Sequence, residues 1–386
     1  MAIYQQKFSV KHQFDVYFTR GLFDQENEVL ARALGTKNRK ALIFIDANLA
    51  KQNPGLKAEI LNWADYHKGC IDIKEIKELE GGEAIKNDPN IVDELAALYI
   101  KHKICRHSIS IVIGGGALLD ACGYVSSIVH RGVPLLRIPT TVLSQNDSGV
   151  GVKNGINRFG IKNFYGVFSP PGGVINDFNF LQSLPDRDWR SGLAEAFKVA
   201  IIKDADFLKY LIDNAGNFCK RQHKAEEEMV KRTAILHLEH IGKGGDPFES
   251  GSSRPLDFGH WSAHKLESLT NFSVTHGEAV SIGIALDLYY AAAIGLIKES
   301  EAQHICFVLK SIGLPVYHPY LETRFDDIIK GLEEFREHLG GELTIAMPKK
   351  LGSRTDLHEM DVDVIRASVK KLEAFYGPDE LSAIAG

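Results

Sequence analysis

The chain has 386 residues, of which 44% are hydrophobic and 25% are charged, a composition typical of a globular protein with two domains. Its formal net charge is −5, so the sequence gives no indication of a nucleic-acid partner or of binding to a membrane surface. The five cysteines are scattered without a CxxC pair, which disfavours a disulfide framework or a cysteine zinc site and predicts a cytoplasmic protein.

The first half of the chain alternates between two kinds of hydrophobic pattern. Continuous apolar runs predict strands at residues 40–46, 108–116, 134–141 and 172–177, and helical patterns lie between them, as at 93–102 and 118–130. Continuous apolar strands separated by helices are typical of a parallel sheet covered on both faces, with ligands at the carboxyl ends of the strands.

After about residue 184 the strand patterns fade and helical periodicity dominates. Helices are predicted over residues 189–211, 225–240, 260–269, 278–296, 299–312 and 362–376. The sequence therefore predicts an α/β domain over 1–184 and an all-α domain over 185–386, with a site between them.

The most apolar segment, 279–297, is interrupted by Asp287 and is short for a membrane span. We expect it to be a buried helix. The first residues lack the apolar stretch of a signal peptide, and none is expected.

Small and acidic residues follow two of the predicted strands. Glycines 114–116 end one strand, and they suit either the close approach of a phosphate or a tight turn without a ligand. Asp120 lies one turn into the helix that follows them. Asp46 ends an earlier strand and could accept hydrogen bonds from a ribose or cap a helix. Glu83 and Lys86 are spaced as a surface ion pair at a helix start.

A polar, glycine-rich segment at 138–157 follows the third predicted strand. It is either a solvated loop or, with the following GIKNFYG, a phosphate cradle carrying two lysines. Its candidate residues are Thr140, Thr141, Asp147, Lys153, Asn157, Lys162 and Asn163.

Two spacings in the helical half point to ionic chemistry. Glu195 and Lys198 share one helix face among apolar neighbours, so a buried pair is expected. His260 and His264 are four residues apart and His276 follows, which suits a divalent metal, although such spacing also arises by chance.

Taken in order, seven motifs between about residues 80 and 285 resemble the successive signatures of one family. They are GGGALLD, RGVPLLRIPTT, NDSGVGVKNGIN, KNFYG, RSGLAEAFK, DFGHWSAH and HGEAVSIG. The resemblance is to the 3-dehydroquinate synthase superfamily, the sugar-phosphate cyclases. It implies an NAD-binding α/β domain with a parallel sheet, an all-α metal- and substrate-binding domain, and a homodimer.

The resemblance also assigns roles by position. It implies a divalent metal, zinc or alternatively cobalt, held by Glu195, His260 and His276. It implies NAD contacts at Asp46, Asn48, Glu83, Lys86, Gly114, Gly115, Gly116, Asp120, Thr140, Thr141, Asp147 and Lys162. It implies substrate and reaction-centre roles for Lys198, His264, Lys153 and Asn163, and for Arg131, which would reach the substrate of the neighbouring subunit.

The chain departs from dehydroquinate synthases where these bind a substrate carboxylate. Asp257 replaces their usual asparagine, and their arginine falls on Ser253, with Arg254 one step off. Their lysine about 21 residues before His260 falls on Glu239 or His240, with Lys243 displaced, and Glu337 and His338 replace a lysine-rich motif. A second carboxylate beside Asp257 is unfavourable, whereas a hydroxymethyl group can donate to it.

We therefore expect a transient oxidation, phosphate elimination, reduction and intramolecular aldol reaction on a carboxylate-free sugar phosphate. The favoured substrate is sedoheptulose 7-phosphate, giving a valiolone-type C7 cyclitol, with Asp257, Arg254 and His338 among the substrate residues. One alternative is 3-dehydroquinate synthase itself, which the retained His264 favours. Others are a polyol dehydrogenase of the glycerol-dehydrogenase group and an NAD-binding module without catalysis.

Overall fold

The structure, a computed structural model, describes residues 3–248, 255–338 and 340–377. The chain divides into two compact units, each described by itself. The α/β unit comprises residues 1–140 and 151–183, and the helical unit comprises 141–150 and 184–386.

The α/β unit contains eight strands and six helices in its described part. The strands are β1 (Val16–Thr19), β2 (Arg39–Asp46), β3 (Ile71–Leu79), β4 (Ile109–Gly114), β5 (Leu135–Pro139), β6 (Lys153–Arg158), β7 (Ile161–Phe168) and β8 (Gly173–Asp177). The helices are α1 (Val29–Leu34), α2 (Ala47–Gln52), α3 (Leu56–Tyr66), α4 (Ala84–Asn87), α5 (Ile91–Lys101) and α6 (Gly116–Ile128).

Six of these strands form one parallel sheet in the order β1-β8-β5-β4-β2-β3. Successive residues of β2 alternate between its two faces: Ile43 and Ile45 enter one apolar cluster, and Leu42 and Phe44 enter the other. Because both faces are covered, the central strands β2, β4 and β5 are mostly apolar. The predicted parallel sheet is confirmed, and β6 and β7 form a separate antiparallel hairpin.

The strand order contains a reversal beside β2. The chain continues from β2 to β3 on one side, and β4 then lies on the other side of β2. A crevice forms outside the carboxyl ends of the strands at such a switch point, and ligands of open α/β sheets bind there. Asp46 ends β2 and Gly114 ends β4, so the predicted candidates occupy this place.

The helical unit contains eleven helices and one two-stranded sheet in its described part. The helices are α7 (Asp186–Ser191), α8 (Leu193–Lys203), α9 (Ala205–Asp213), α10 (Ala215–Cys219), α11 (His223–Lys243), α12 (His260–Leu269), α13 (His276–Ala293), α14 (Glu299–Ser311), α15 (Tyr320–Thr323), α16 (Phe325–His338) and α17 (Val362–Tyr376). The strands are β9 (Ile345–Lys350) and β10 (Ser353–Leu357), which pair antiparallel.

Helix α13 forms the centre of this unit and contacts α8, α12, α14 and α17. Most of its side chains are buried, including Asp287, which confirms that the apolar segment around 279–297 is a buried helix. Within the described ranges, we find no helix long and apolar enough to cross a bilayer.

Three sequence predictions about the domains and their helices need correction. The single helix expected over 189–211 is three helices, because Gly192 and Asp204 separate α7, α8 and α9, and the Asp204 carboxylate caps α9 at the Phe207 N–H, 2.8 Å away. The unit also contains the β9–β10 sheet, so it is not purely helical. Residues 141–150, expected in the first domain, belong to the helical unit, where Asn146 donates to the Gly192 carbonyl.

Candidate functional site

Helix α8 carries a buried ion pair that joins its first and second turns. Glu195 is fully buried and Lys198 is 2% exposed. The Lys198 ammonium contacts Glu195 Oε2, as the i, i+3 spacing predicted. A carboxylate and an ammonium without water each require such a partner, so both remain charged.

Two histidines approach the other oxygen of Glu195. The Nε2 atoms of His260 and His276 lie 3.7 and 3.6 Å from Glu195 Oε1. His260 begins α12 and His276 begins α13, so three helices supply the three side chains. Ligand atoms of all three lie within 4.8 Å of one another.

The outer nitrogen of each imidazole is held by a hydrogen bond. His260 Nδ1 lies 3.0 Å from the Phe258 carbonyl oxygen, and His276 Nδ1 lies 3.1 Å from the carboxylate of Glu267. An imidazole that donates its Nδ1 proton to such an oxygen keeps Nε2 available as a metal ligand. Burial and the nearby Lys198 hold the pKa of His260 well below its usual range, so this imidazole is neutral.

The donor set fits a divalent metal. Glu195 Oε1 is buried, and the Nε2 atoms of both histidines face it. Two imidazoles and a carboxylate with an open fourth position form a donor set that zinc accepts in catalytic sites. Glu267 supplies the outer carboxylate that often orients a metal-bound histidine.

A π-helical turn at Ser144–Ser148 brings a second carboxylate to the same cluster. Asp147 Oδ1 lies 3.9 Å from Lys198 Nζ and 2.9 Å from Nδ1 of His237, which lies on α11. Lys198 therefore stands between two carboxylates, Glu195 and Asp147.

The charges of this cluster support one another. Burial raises the pKa of Glu195 and of Asp147, but the Lys198 ammonium and the neighbouring histidines together outweigh it, and both pKa values are lowered. Burial lowers the pKa of Lys198, but Glu195 and Asp147 outweigh it and raise the pKa. The cluster is therefore ionised at neutral pH.

The carboxylate of Asp257 also acts on this region. Asp257 ends a short 3₁₀ turn at Pro255–Asp257, three residues before His260. It is among the groups that raise the pKa of Lys198, and it partly opposes the lowering of the pKa of His240. Burial and then Lys203 lower the pKa of His240 to about 4, so its imidazole is neutral at pH 7.

The structure separates the two residues expected at the position of the missing lysine. Glu239 is exposed and pairs with Lys243 at 2.6 Å, while His240 is half-buried near Asp257. His264 is exposed, and its ring stacks at 6.0 Å on that of His276.

Two further predicted substrate residues receive no side-chain description. Arg254 lies outside the described residues. His338 ends α16, and its backbone alone is described.

The α/β unit holds a second polar cluster around Lys86. Lys86 is 2% exposed, so its expected ion pair with Glu83 is present but buried on the lysine side instead of lying on the surface. Its ammonium donates to Asp120 at 3.0 Å and to the side-chain oxygen of Asn163, and it lies 3.7 Å from Glu83. Burial lowers the pKa of Lys86, but Asp120 and Glu83 outweigh it and raise the pKa.

Asn157 ties the β6–β7 hairpin to the same cluster. Its amide donates to Glu83 at 2.8 Å, and its oxygen accepts the Asn163 N–H at 2.8 Å. Asn163 has φ of +54°, a left-handed conformation that asparagine tolerates better than most residues. These contacts fix the Asn163 side chain beside Lys86.

Gly114 and Asp46 lie side by side at the switch point of the sheet. A Cβ atom on Gly114 would lie 3.3 Å from that of Asp46. Asp46 caps α2 by accepting a hydrogen bond from the Asn48 N–H at 2.8 Å, which agrees with the helix cap that was one of its two predicted roles. Asn48 itself is exposed. Helix α6 begins at Gly116 after the N-cap Gly115 and has no side-chain cap, so an anion could complete its first turn.

The lysine-bearing segment differs from the expected loop. Lys153 begins β6, where it pairs with Phe168, and Lys162 lies on β7 near the turn. They lie on different strands of an antiparallel hairpin, so the expected loop is a β-hairpin in this structure.

The remaining predicted residues lie at element ends. Thr140 is buried and its N–H donates to Gly114, while the Thr141 hydroxyl bonds Ser144 at the start of the π-helical turn. Arg131 is exposed after α6, with φ of +65°.

Sequence reasoning missed two residues of these clusters, Glu267 and His237. Glu267 follows His260 by seven residues, so its position on the histidine face of α12 could have been predicted. Nothing in the sequence links His237 to Asp147, 90 positions away, or Asn157 to Glu83, since these contacts depend on tertiary structure.

Comparison with known proteins gives consistent matches. Residues 76–191 match the family model of the 3-dehydroquinate synthase N-terminal domain, and residues 192–335 match that of the C-terminal domain. The chain is 30% identical to 2-epi-valiolone synthase of Actinosynnema mirum over 93% of its own length and 94% of that protein. It is 32% identical to 3-dehydroquinate synthase of Aliivibrio fischeri over 77% of its length and 81% of that protein.

A solved structure shares the whole fold. It is 2-epi-5-epi-valiolone synthase from Streptomyces hygroscopicus subsp. jinggangensis with NAD+ and Zn2+ bound. The TM-score is 0.86 at 27% identity, covering 96% of this chain and 99% of that one.

Proposed function

The chain belongs to the 3-dehydroquinate synthase family of sugar-phosphate cyclases, and from that premise we propose that it cyclises sedoheptulose 7-phosphate to a valiolone-type C7 cyclitol with NAD and a divalent metal. The proposed preference for a substrate without a carboxylate rests on Asp257. Its carboxylate acts on Lys198 and His240, and His240 is neutral at pH 7. A hydroxymethyl group can donate to this carboxylate, whereas a substrate carboxylate would meet a like charge.

We assign the metal to Glu195, His260 and His276, whose buried Oε1 and two Nε2 atoms converge. A bound zinc or cobalt ion would supply a Lewis acid for the substrate oxygen, and NAD would supply a transient hydride acceptor, so no net oxidation would result. The NAD+ and Zn2+ of the Streptomyces enzyme support both assignments.

The remaining steps fall to side chains of this chain. The Lys198 ammonium, kept charged between two carboxylates, stabilises negative charge that develops on the substrate oxygen. The exposed imidazole of His264 accepts or returns a proton during elimination and aldol closure. Lys153 and Asn163 bind the phosphate that leaves, and Arg131 of a second subunit completes its site.

For the α/β unit we propose NAD binding at the switch point. The uncapped N-terminus of α6 would face the pyrophosphate, and Asp46 would accept from a ribose hydroxyl. Lys86, held by Asp120 and Glu83, places a fixed positive charge in the same unit.

One observation favours a second candidate, 3-dehydroquinate synthase. Lys203 and Arg354 are cations close enough to His240 to lower its pKa, and a substrate carboxylate could pair with either. Arg354 already donates to Asp356, which weakens this alternative.

The deciding experiment offers both substrates to one enzyme. Purified protein with NAD and zinc or cobalt receives sedoheptulose 7-phosphate or 3-deoxy-arabino-heptulosonate 7-phosphate, and phosphate release is measured. We expect turnover of the first, and Asp257→Asn should lower its kcat/KM by about 10- to 100-fold. The matched control Asp326→Asn, an exposed carboxylate 3.7 Å from Arg366, should leave kcat/KM unchanged.

Release from the heptulosonate phosphate alone would overturn the proposed substrate and support the second candidate. Accumulation of NADH with a simple polyol would point instead to a dehydrogenase. His276→Ala should abolish both metal content and phosphate release, and a variant that retains both would refute the metal assignment.

A further inference from the structure

One carboxylate of the helical unit takes no part in the proposed metal and substrate chemistry. Asp287 is fully buried in α13, a helix whose side chains are mostly buried and apolar. It accepts two hydrogen bonds, from the Gly259 N–H at 3.0 Å and from the Trp261 indole N–H at 2.9 Å. These two donors flank His260, a proposed metal ligand.

Stability alone does not account for a carboxylate at this place. Burial raises the pKa of Asp287 to about 7, and its two N–H donors only partly oppose the shift. Replacing buried polar groups with apolar side chains of similar volume is often neutral or stabilising. The effect of Asp287 is therefore on which conformation the turn before α12 adopts.

The same face of α13 carries three contacts with the metal-binding region. Gly283 and Asp287 follow His276 by seven and eleven residues, which is close to two and three whole helical turns. A Cβ atom on Gly283 would lie 1.9 Å from the Gly259 carbonyl oxygen, so the helix and the turn meet at backbone distance. Asp287 extends this contact by one turn.

The turn itself has little freedom. Gly259 has φ of +77°, the left-handed region that favours glycine, and a Cβ there would lie 2.8 Å from the Ile284 nitrogen. Just before it, the Phe258 carbonyl accepts from His260 Nδ1. Any shift of the Gly259 backbone would therefore move both the imidazole and the group that orients it.

We propose that Asp287 is a positioning residue of the metal centre, and that α13 determines the placement of both histidine ligands. His276 is placed directly, as the first residue of the helix. His260 is placed through the hydrogen bonds of Asp287 to Gly259 and Trp261 and through the close contact at Gly283. The inference rests on the metal centre assigned under the proposed function.

The test measures metal affinity and coordination in the full chain. Apo wild type, Asp287→Leu, Asp287→Asn and Trp261→Phe are titrated with cobalt in competition with a chelator, and the visible cobalt spectrum is recorded. We expect Asp287→Leu to weaken cobalt binding by about 10- to 100-fold, as loss of an outer partner of a ligand typically does. Asp287→Asn and Trp261→Phe, which each remove one hydrogen bond, should show smaller losses with altered spectra.

Leu288→Ala is the matched control, because Leu288 is the next residue of α13 and is also fully buried. It should lower the melting temperature and leave cobalt affinity unchanged, which separates positioning from general loss of stability. If Asp287→Leu does not fold, the other two variants decide. Wild-type affinity and spectrum in all folded variants would overturn the inference.

The wild type distinguishes this outcome from failure of the proposed metal centre. If wild type and His276→Ala bind cobalt equally, the metal centre itself is wrong. If His276→Ala loses binding and the Asp287 variants keep it, the metal centre stands and the positioning role is wrong.

Discussion

Replacing Lys198 by methionine would remove the cation that two buried carboxylates share. Glu195 would lose its contacting ammonium, and Asp147 would lose a charge 3.9 Å away. Asp147 would keep His237 at 2.9 Å, so the uncompensated charge is that of Glu195.

The expected loss of unfolding free energy is large for one substitution. Two unit charges about 4 Å apart interact by about 4 kcal/mol at an effective dielectric constant of 20. Removing one partner of a buried ion pair typically costs about 3–5 kcal/mol. In a domain of this size we expect a fall in melting temperature of about 10 °C.

The substitution should also reverse the pH dependence of stability. In the wild type the lowered pKa of Glu195 stabilises the fold above about pH 4, and that stability is lost as the pH falls. Without Lys198, burial raises the pKa of Glu195, so the variant becomes less stable as the pH rises. The difference between the two proteins should therefore increase from pH 5 to pH 8.

The assay is urea unfolding of the apo proteins, freed of metal by a chelator, at several pH values. Lys209→Met is the matched control, because Lys209 and Asp213 form an exposed pair worth at most about 1 kcal/mol. The reasoning would be refuted if Lys198→Met unfolded within about 1 kcal/mol of wild type at pH 8. A difference that did not change with pH would refute the electrostatic part alone.

Three further predictions concern single side chains. Glu267→Gln should weaken zinc binding about 10-fold or more in a chelator competition, because a carboxylate no longer holds the Nδ1 proton of His276; unchanged affinity would contradict this role. Lys86→Met should weaken NAD binding at least about 10-fold by calorimetry, whereas the exposed control Lys101→Met, which loses a pair with Glu75, should not. The third variant is Asp287→Asn in the apo protein. Because the pKa of Asp287 is raised to about 7, its ionisation destabilises the wild type, and the unfolding free energy of the variant minus that of the wild type should rise by about 3 kcal/mol between pH 5 and pH 8. A difference in urea unfolding that stays constant with pH would exclude that pKa.

The parallel sheet was predictable because its strands leave a direct mark in the sequence. A strand covered on both faces, such as β2, is a continuous apolar run, and β4 and β5 show the same pattern. The hairpin of β6 and β7 has mostly exposed residues on β7 and many polar ones on β6, so it resembled a loop. The short strands β9 and β10 were missed in a region dominated by helical periodicity.

The site was predictable only where its residues are close in the sequence. The spacing of Glu195 and Lys198 with apolar neighbours predicted a buried pair, and this is confirmed. The spacing of His260 and His264 suggested that both face one metal, but His264 is exposed and groups with Glu267 and His276 instead of with Glu195 and His260. Asp287 looked like a mere interruption of an apolar helix, because its partners lie 26 and 28 residues away.

The π-helical turn at Ser144–Ser148 constrains which changes in chain length the protein can tolerate. It presents Asp147 to Lys198 and His237 from a wide turn, whose hydrogen bonds span five residues instead of four. Deleting one residue would restore an ordinary helical turn and rotate the residues after it by about 100°. Insertions and deletions that a surface loop would accept should therefore be excluded from this segment, and circular permutants or grafted loops would have to leave it intact.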